Sequence, residues 1–523
     1  MPMAPLPRRD VMLRSALALF LVLAASPAPA AEVMLEHTDL VPIGKGAWFA
    51  SGLTLPDPDP ALPALGPNVP PEVARQLTPR IARGEAQGFS GVLYDNRDRA
   101  HSALAPGWFP RLARLSYGPE LKTKGADYGL AGGLVFPAVV FGNSSTAVTG
   151  GPIARSLPRL AMTSGHGPAA SARLYRNNHL YVYPEHNDHD ASDRFPANWP
   201  YMVISQGSSY TDRVFLEAIG ATLAAFPPET FELMRKRKLV APTVQMILRR
   251  NLAGVRRTED YLSAAAHPVV MRGKDIRAGL MVAQAAALSA DAVPPVTRLS
   301  MLEDGFRSTA GLAGQSEVLF DTPQALARIW RGPEARREMV VSTVGTVDPN
   351  GRDLTFSWHL IQGDPARVQI EPLDAAGRTA RLRIDWHDPW ETTAMQDTRE
   401  PGPRQLSRVD IAVFADNGVN LSAPSFISVD FPEHQTRRYA PGPDGQDRLV
   451  SVDYDALGRK APYDPLLFWS APWTDTALYS ADGALTGWER QHGDGREERV
   501  ELGTGRYTIE DSGGQPALSF TPD

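Results

Sequence analysis

The chain has 523 residues, 53 Lys and Arg against 59 Asp and Glu, a formal net charge of −6 and no cysteine. The acidic balance argues against a general nucleic-acid or anionic-membrane surface, and a chain without Cys has no disulfide, thiol nucleophile or thiolate metal site. At about 150 residues per domain the length corresponds to roughly three domains, enough for ordinary hydrophobic cores without covalent staples.

Residues 1–30 read as an export signal. Arg8, Arg9 and Arg14 form a basic region, Ala16 to Ala25 is a short apolar run, and Ala28-Pro29-Ala30 supplies a small-x-small cleavage pattern. The run is shorter than the ~20 residues a spanning helix needs, and no later segment reaches that length. The expectation is an exported chain, periplasmic or secreted after cleavage near Ala30, with no transmembrane segment in the mature form. Arg8-Arg9 also resembles a twin-arginine signal, although Pro7 before the pair favours the general secretory reading.

Residues 31–315 predict an α/β domain. Gly88–Tyr94, Leu134–Phe141, His179–Tyr183 and Tyr201–Ser205 are apolar strands that each run into a dense polar loop. In open α/β sheets such carboxyl-end loops gather into one crevice, where binding sites lie. After the fourth strand, Val214, Phe215, Ala218, Ile219, Thr222, Leu223 and Phe226 recur at helical spacing, and Ser209 with Asp212 predicts a capping box. Pro227-Pro228 ends this helix. Arg235-Lys236-Arg237-Lys238 reads as a solvated helix C-terminus, where cations complement the dipole.

From about residue 316 the texture changes to strands. Asp348-Pro349-Asn350-Gly351 is a tight polar turn, and Leu354, Phe356 and Trp358 alternate with Thr355 and Ser357, the pattern of a strand with one buried face. Further strands are expected at Met339–Val344, Val368–Ile370, Ala380–Trp386, Arg408–Phe414 and Ser425–Phe431. Together with Val413-Phe414-Ala415-Asp416-Asn417-Gly418, these resemble a PKD-type, Ig-like β-sandwich of secreted bacterial proteins over about 336–432, with a lengthened loop at Asp388–Gln405. The resemblance implies an accessory domain, found beside enzymes and adhesins alike. The fold class is therefore multidomain: the α/β domain, an Ig-like or PKD-like sandwich over 316–432, and a small β-rich unit over 433–523 with an Asp482-Gly483 hairpin turn.

Three loops carry candidate chemistry. In Glu185-His186-Asn187-Asp188-His189-Asp190, imidazole and carboxylate are the ligand types a zinc site without Cys requires. His186, Asp188 and His189 are the candidate ligands and Glu185 the base toward a metal-bound water. His186-x-Asp188-His189 is similar to the latter part of the His-x-His-x-Asp-His motif of metallo-β-lactamases. Pro184 stands where its first His would be, no Gly-rich turn follows, and a further ligand would have to come from His101 or His267.

In Ser205-Gln206-Gly207-Ser208-Ser209, a strand-to-helix turn presents Ser208 as a nucleophile and Ser209 as a substrate contact, without the Gly-x-Ser-x-Gly signature. Asn143-Ser144-Ser145-Thr146, after Gly142, is an alternative serine source, with Asn143 and Ser144 as further substrate contacts; helix capping and turn formation are the competing reading for both loops. In Asp95-Asn96-Arg97-Asp98-Arg99 with His101, Asp95, Asp98 and His101 are acid–base candidates, and Arg97 and Arg99 would hold an anionic group; a salt-bridged scaffold is the competing reading. Trp199 is a candidate sugar-stacking platform near these loops, and Trp390 is a second one in the long insertion. These residues support an exported hydrolase of a polysaccharide or other extracellular polymer, against the alternative of a non-catalytic envelope or carbohydrate-binding protein.

Overall fold

The computed structural model describes residues 31–150, 153–307, 315–392, 404–456, 463–511 and 516–523; the expected export signal lies outside them. Among the described residues no helix is long and apolar enough to cross a membrane.

The N-terminal region is built on six strands: β1 Glu32–Leu35, β2 Val92–Asn96, β3 Ala113–Tyr117, β4 Val139–Asn143, β5 His179–Pro184 and β6 Met202–Ser205. All neighbours pair in parallel, in the order β1-β3-β2-β4-β5-β6. β4, β5 and β6 are buried at every position, as expected for parallel strands covered on both faces. The sequence pattern anticipates β2, β4, β5 and β6 but not β1 or β3. Helices α1 Pro71–Ala82, α3 Arg213–Ala225 and α5 Ala278–Ala287 pack together, and α3 lies on β4, while α2 Gly167–Tyr175 packs on β5. The apolar face of α3 differs from the expected stripe in that Val214 is exposed and Leu216 is buried. The basic run at 235–238 ends α4 Pro228–Arg237, with Arg235 and Lys236 paired to Glu232.

The chain leaves β2 toward β3, then returns past it to β4. The direction of winding therefore reverses between β2 and β4, and the space outside their carboxyl ends is the position at which doubly wound sheets bind ligands.

The following region is β-sandwich-like. One sheet joins β7 Ser300–Asp304, β10 Arg336–Ser342, β13 Thr379–Asp385 and β12 Val368–Pro372. The other joins β8 Val318–Thr322, β9 Ala325–Ile329, β15 Ser425–Asp430, β14 Arg408–Asp416 and β11 Thr355–Gln362. β7 lies before residue 316 in the chain yet pairs with β10. Trp358 sits in the sandwich core with Trp330, Trp386 and Phe431, its indole N–H donating to the Gly377 carbonyl at 2.8 Å. The Asp348 carboxylate accepts from the Asn350 and Arg352 N–H groups and the Asn417 amide, so its loop is explained by turn chemistry.

Strand β14 serves two cores. Val409, Ile411 and Val413 face the sandwich interior, while Ala412 and Phe414 join the core of the α/β region with Tyr261 and Trp199, the period-2 alternation of a strand buried on both faces. Beyond it, strands Thr436–Pro441, Asp447–Asp453, Trp473–Tyr479, Leu485–His492 and Glu497–Glu501 pair antiparallel in that order, and Arg506–Asp511 pairs antiparallel with Pro516–Thr521, with Gly483 at φ 87° in the Asp482-Gly483 turn.

Candidate functional site

Four of the predicted loops do meet. They rise from the carboxyl ends of β2, β4, β5 and β6, and the floor beneath them is a buried polar network. Asp95, fully buried, accepts from Tyr117 Oη and Tyr181 Oη at 2.7 Å each. Tyr181 reaches it across β4 because Gly142 stands there: a Cβ would lie 2.2 Å from the Asp95 carbonyl and 2.7 Å from the Tyr181 ring. Burial pushes the Asp95 carboxyl above its ordinary range, against the lowering influence of Arg97 and the two tyrosines. Arg97 is buried beside them, 3.5 Å from Tyr117 Oη. Both side chains belong to the floor, which corrects the expectation of Asp95 as an accessible base and of Arg97 as a substrate clamp.

Above the floor stands a hydrogen-bonded chain. Ser145 Oγ donates to Asp98 Oδ2 at 2.7 Å, and that oxygen also accepts the Ser102 N–H at 2.8 Å. His101 Nδ1 lies 3.1 Å from Ser145 Oγ and 3.3 Å from Ser209 Oγ. With the Ser145 proton directed to Asp98, its oxygen is left to accept from the ring, which assigns the proton to Nδ1 and leaves Nε2 as a lone pair on an exposed side chain. A second carboxylate braces this layer. Asp212 accepts from Ser102 Oγ at 2.5 Å and Asn143 Nδ2 at 2.6 Å, while Asn143 Oδ1 accepts from Tyr94 Oη at 2.6 Å. Burial raises the Asp212 carboxyl, the two hydrogen bonds oppose that, and the nearby Asp98 adds to it.

His186 enters the same crevice. Its half-buried ring is lowered by desolvation, raised by a backbone hydrogen bond at Ser145 and by Asp212, and lowered again by His101. Beneath it, Glu185 accepts the Gly207 N–H at 2.7 Å, and burial pushes its carboxyl up to about 7. Backbone strain gathers at this rim. Of eight non-glycine residues with positive φ among the described residues, five lie here: Arg99, Ala100, His186, Asn187 and Tyr210. Such conformations persist only where surrounding structure enforces them, and they cluster at functional sites. Two aromatic rings flank the mouth. Tyr210 is 50% exposed, 5.8 Å from the His101 ring and under Arg213, and Tyr128 is 46% exposed beneath Arg99.

The zinc expectation is overturned. Among the described residues no group of three His, Asp or Glu is placed to hold a metal ion. The turn at His186 and Asn187, with φ of 47° and 67°, sends successive side chains apart. Asp188 accepts the Ser156 N–H at 2.8 Å and pairs with Arg159 at 3.0 Å. His189 turns instead to Arg404, at 3.2 Å.

Other expected residues are also placed elsewhere. Trp199 is 1% exposed and packs edge-on against Tyr201 and Phe320, so it is core rather than platform. Arg99 binds Asp127 through two bonds of 3.1 Å at the rim. Ser144 bonds Thr146, and Asn143 lies in the bracing layer. Ser208 is exposed, and it is Ser209 that contacts the imidazole.

Ser102 was not singled out by the pattern, Ser145 entered only within the polar turn 143–146, and Asp212 only as a capping residue. The capping box expected from Ser209 and Asp212 does not form: Asp212 itself stands immediately before α3, and its side chain makes no cap but binds Asn143 and Ser102.

No family model matches the chain, and no curated protein matches it. Among solved structures, it is similar to a nucleoside hydrolase-related hypothetical protein from Saccharophagus degradans that is associated with carbohydrate metabolism. That match has 11% identity over 56% of this chain and 71% of the other, at a TM-score of 0.19, an overlap that supports no inference about this chain.

Proposed function

We propose that this chain is an exported hydrolase of a polysaccharide or similar extracellular polymer, working by acid–base catalysis in the crevice between β2 and β4. The observation that carries the reading is the Asp98–Ser145–His101 chain, which holds an exposed imidazole with its Nε2 lone pair available. His101 takes a proton from water as that water attacks the scissile bond. The charge then formed on the ring is supported through Ser145 by Asp98, the role an orienting carboxylate plays beside a catalytic imidazole. The proton taken by His101 is the one returned to the leaving group, while Glu185, buried beneath the His186 turn with its carboxyl raised to about 7, holds the Gly207 N–H and so the loop after β6. The flat faces of Tyr210 and Tyr128 match the apolar faces of sugar rings. In the same reading residues 31–315 carry the site, 316–432 form a PKD-type accessory sandwich and 433–523 a further β-rich accessory unit.

The test is release of reducing ends from a panel of soluble polysaccharides, with nitrophenyl glycosides in parallel. His101→Gln is expected to lower the rate by roughly 10²–10⁴-fold, the span of general-base catalysis, and Ser145→Ala to lower it with little change in KM. Full activity in His101→Gln removes the mechanism. Inactivity of the parent on every substrate favours the non-catalytic carbohydrate-binding alternative.

A further inference from the structure

A cavity of about 540 Å³, lined by none of Asp98, His101, Ser145, Glu185 and Ser209, lies where the 264–275 segment of the α/β region meets β11, β14 and the antiparallel strand pair Trp390–Thr392 and Arg404–Leu406. Its volume falls within the range of small-molecule sites. Its apolar lining includes Leu252, Val269 and Ile361, and Trp390 contributes a half-buried indole with the His387 ring 5.4 Å away.

Most of the charged groups in the wall are already engaged. Asp193 and Asp410 both pair with Arg408 at 2.9 Å, Arg272 pairs with Asp275 at 2.6 Å, and Arg404 bonds His189 and the Asp190 carbonyl. A cationic ligand would therefore meet no unpaired carboxylate, and an anionic one only Arg404, whose N–H groups are already given to His189 and Asp190.

What the wall does hold is spare hydrogen-bonding capacity without net charge. Gln362 directs its amide N–H to the Arg408 carbonyl at 2.8 Å, leaving the amide oxygen as an acceptor. Arg272 gives only Nε to Asp275, leaving its terminal nitrogens as donors. Hydroxyl groups are the functions that satisfy neutral donors and acceptors together, and an aromatic wall accepts a flat apolar ring face.

We propose that this cavity is a binding site for a neutral saccharide of two or three rings, separate from the crevice and stacked on Trp390. It holds the polymer chain by contacts outside the reacting centre, whatever chemistry the crevice performs. The experiment titrates the full mature chain, carrying His101→Gln so that no hydrolysis intervenes, with cellotriose, xylotriose, maltotriose and chitotriose. Binding is followed by tryptophan fluorescence and calorimetry. At least one trisaccharide is expected to bind with a Kd of about 1 mM or tighter. Adding Trp390→Ala should weaken it roughly tenfold or more, with a smaller loss for Gln362→Ala, a lesser change that keeps the test open if the Trp390 variant melts early. No binding of any of the four at about 10 mM, or parent-like affinity in both variants, overturns the proposal. Loss of binding in the parent chain, where His101 is intact, with no hydrolysis, would also overturn it, because the site would then depend on the crevice.

Discussion

The hydroxyl of Ser145 has one proton, and the 2.7 Å contact to Asp98 claims it. A residue that entered the sequence reading only within a polar turn thereby decides which nitrogen of His101 faces solvent. Glu185 adds a pH signature at the same scale. Its ordinary value is near 4.5 and burial brings the folded value to about 7, so the folded chain keeps a proton that the unfolded chain releases. The stabilisation from this group is complete below about pH 4.5 and is lost as pH rises through about 7, on the order of 3 kcal/mol in all. Glu185→Gln does not titrate, so its melting temperature should fall less than the parent's between about pH 5 and 7.5. A parent-like slope in that variant would show that the titration lies elsewhere.

Among the elements, β14 is held to the loop after β5 by one guanidinium. Arg408 is buried, pairs with Asp193 and Asp410 at 2.9 Å and donates to the Phe195 carbonyl. Arg408→Met would leave two buried carboxylates without their cation, and it should cost roughly 3–5 kcal/mol in denaturant melts. A loss under about 1 kcal/mol, the scale of exposed pairs, would mean that water takes over its role. The strands of this region were legible because turn residues and period-2 alternation mark them locally: Thr355–Gln362 and Arg408–Asp416 appear within a few residues of where Phe356, Trp358 and Phe414 placed them. β3 was not, since Arg114 interrupts its apolar run, and only the tertiary structure shows that guanidinium over the Tyr94 ring. That a dense polar loop follows each of four strands was legible from the strand pattern, but not that the four loops meet. Which side chains face one another was not, because that depends on the backbone turns at His186 and Asn187 and on Gly142, features set by packing rather than by spacing.

For the molecule as a whole, the α/β region and the sandwich share apolar packing: Phe414 lies 5.4 Å from the Tyr261 ring and 5.2 Å from His267, and Tyr201 Oη donates to Thr322 at 2.7 Å. Calorimetry of the mature chain should therefore show these two regions melting in one transition. A chain cut after residue 315 should bind hydrophobic dyes and aggregate, and a monodisperse, dye-negative fragment would contradict this. The double duty of β14 also bears on descent. A module that stops at its own surface can be traded between genes as a cassette, but here the outer face of the sandwich is the inner wall of its neighbour. Any incoming replacement would have to arrive already fitted to Tyr261, His267 and Trp199, so the two regions are bound to diverge in step, each substitution on one side narrowing what the other can accept.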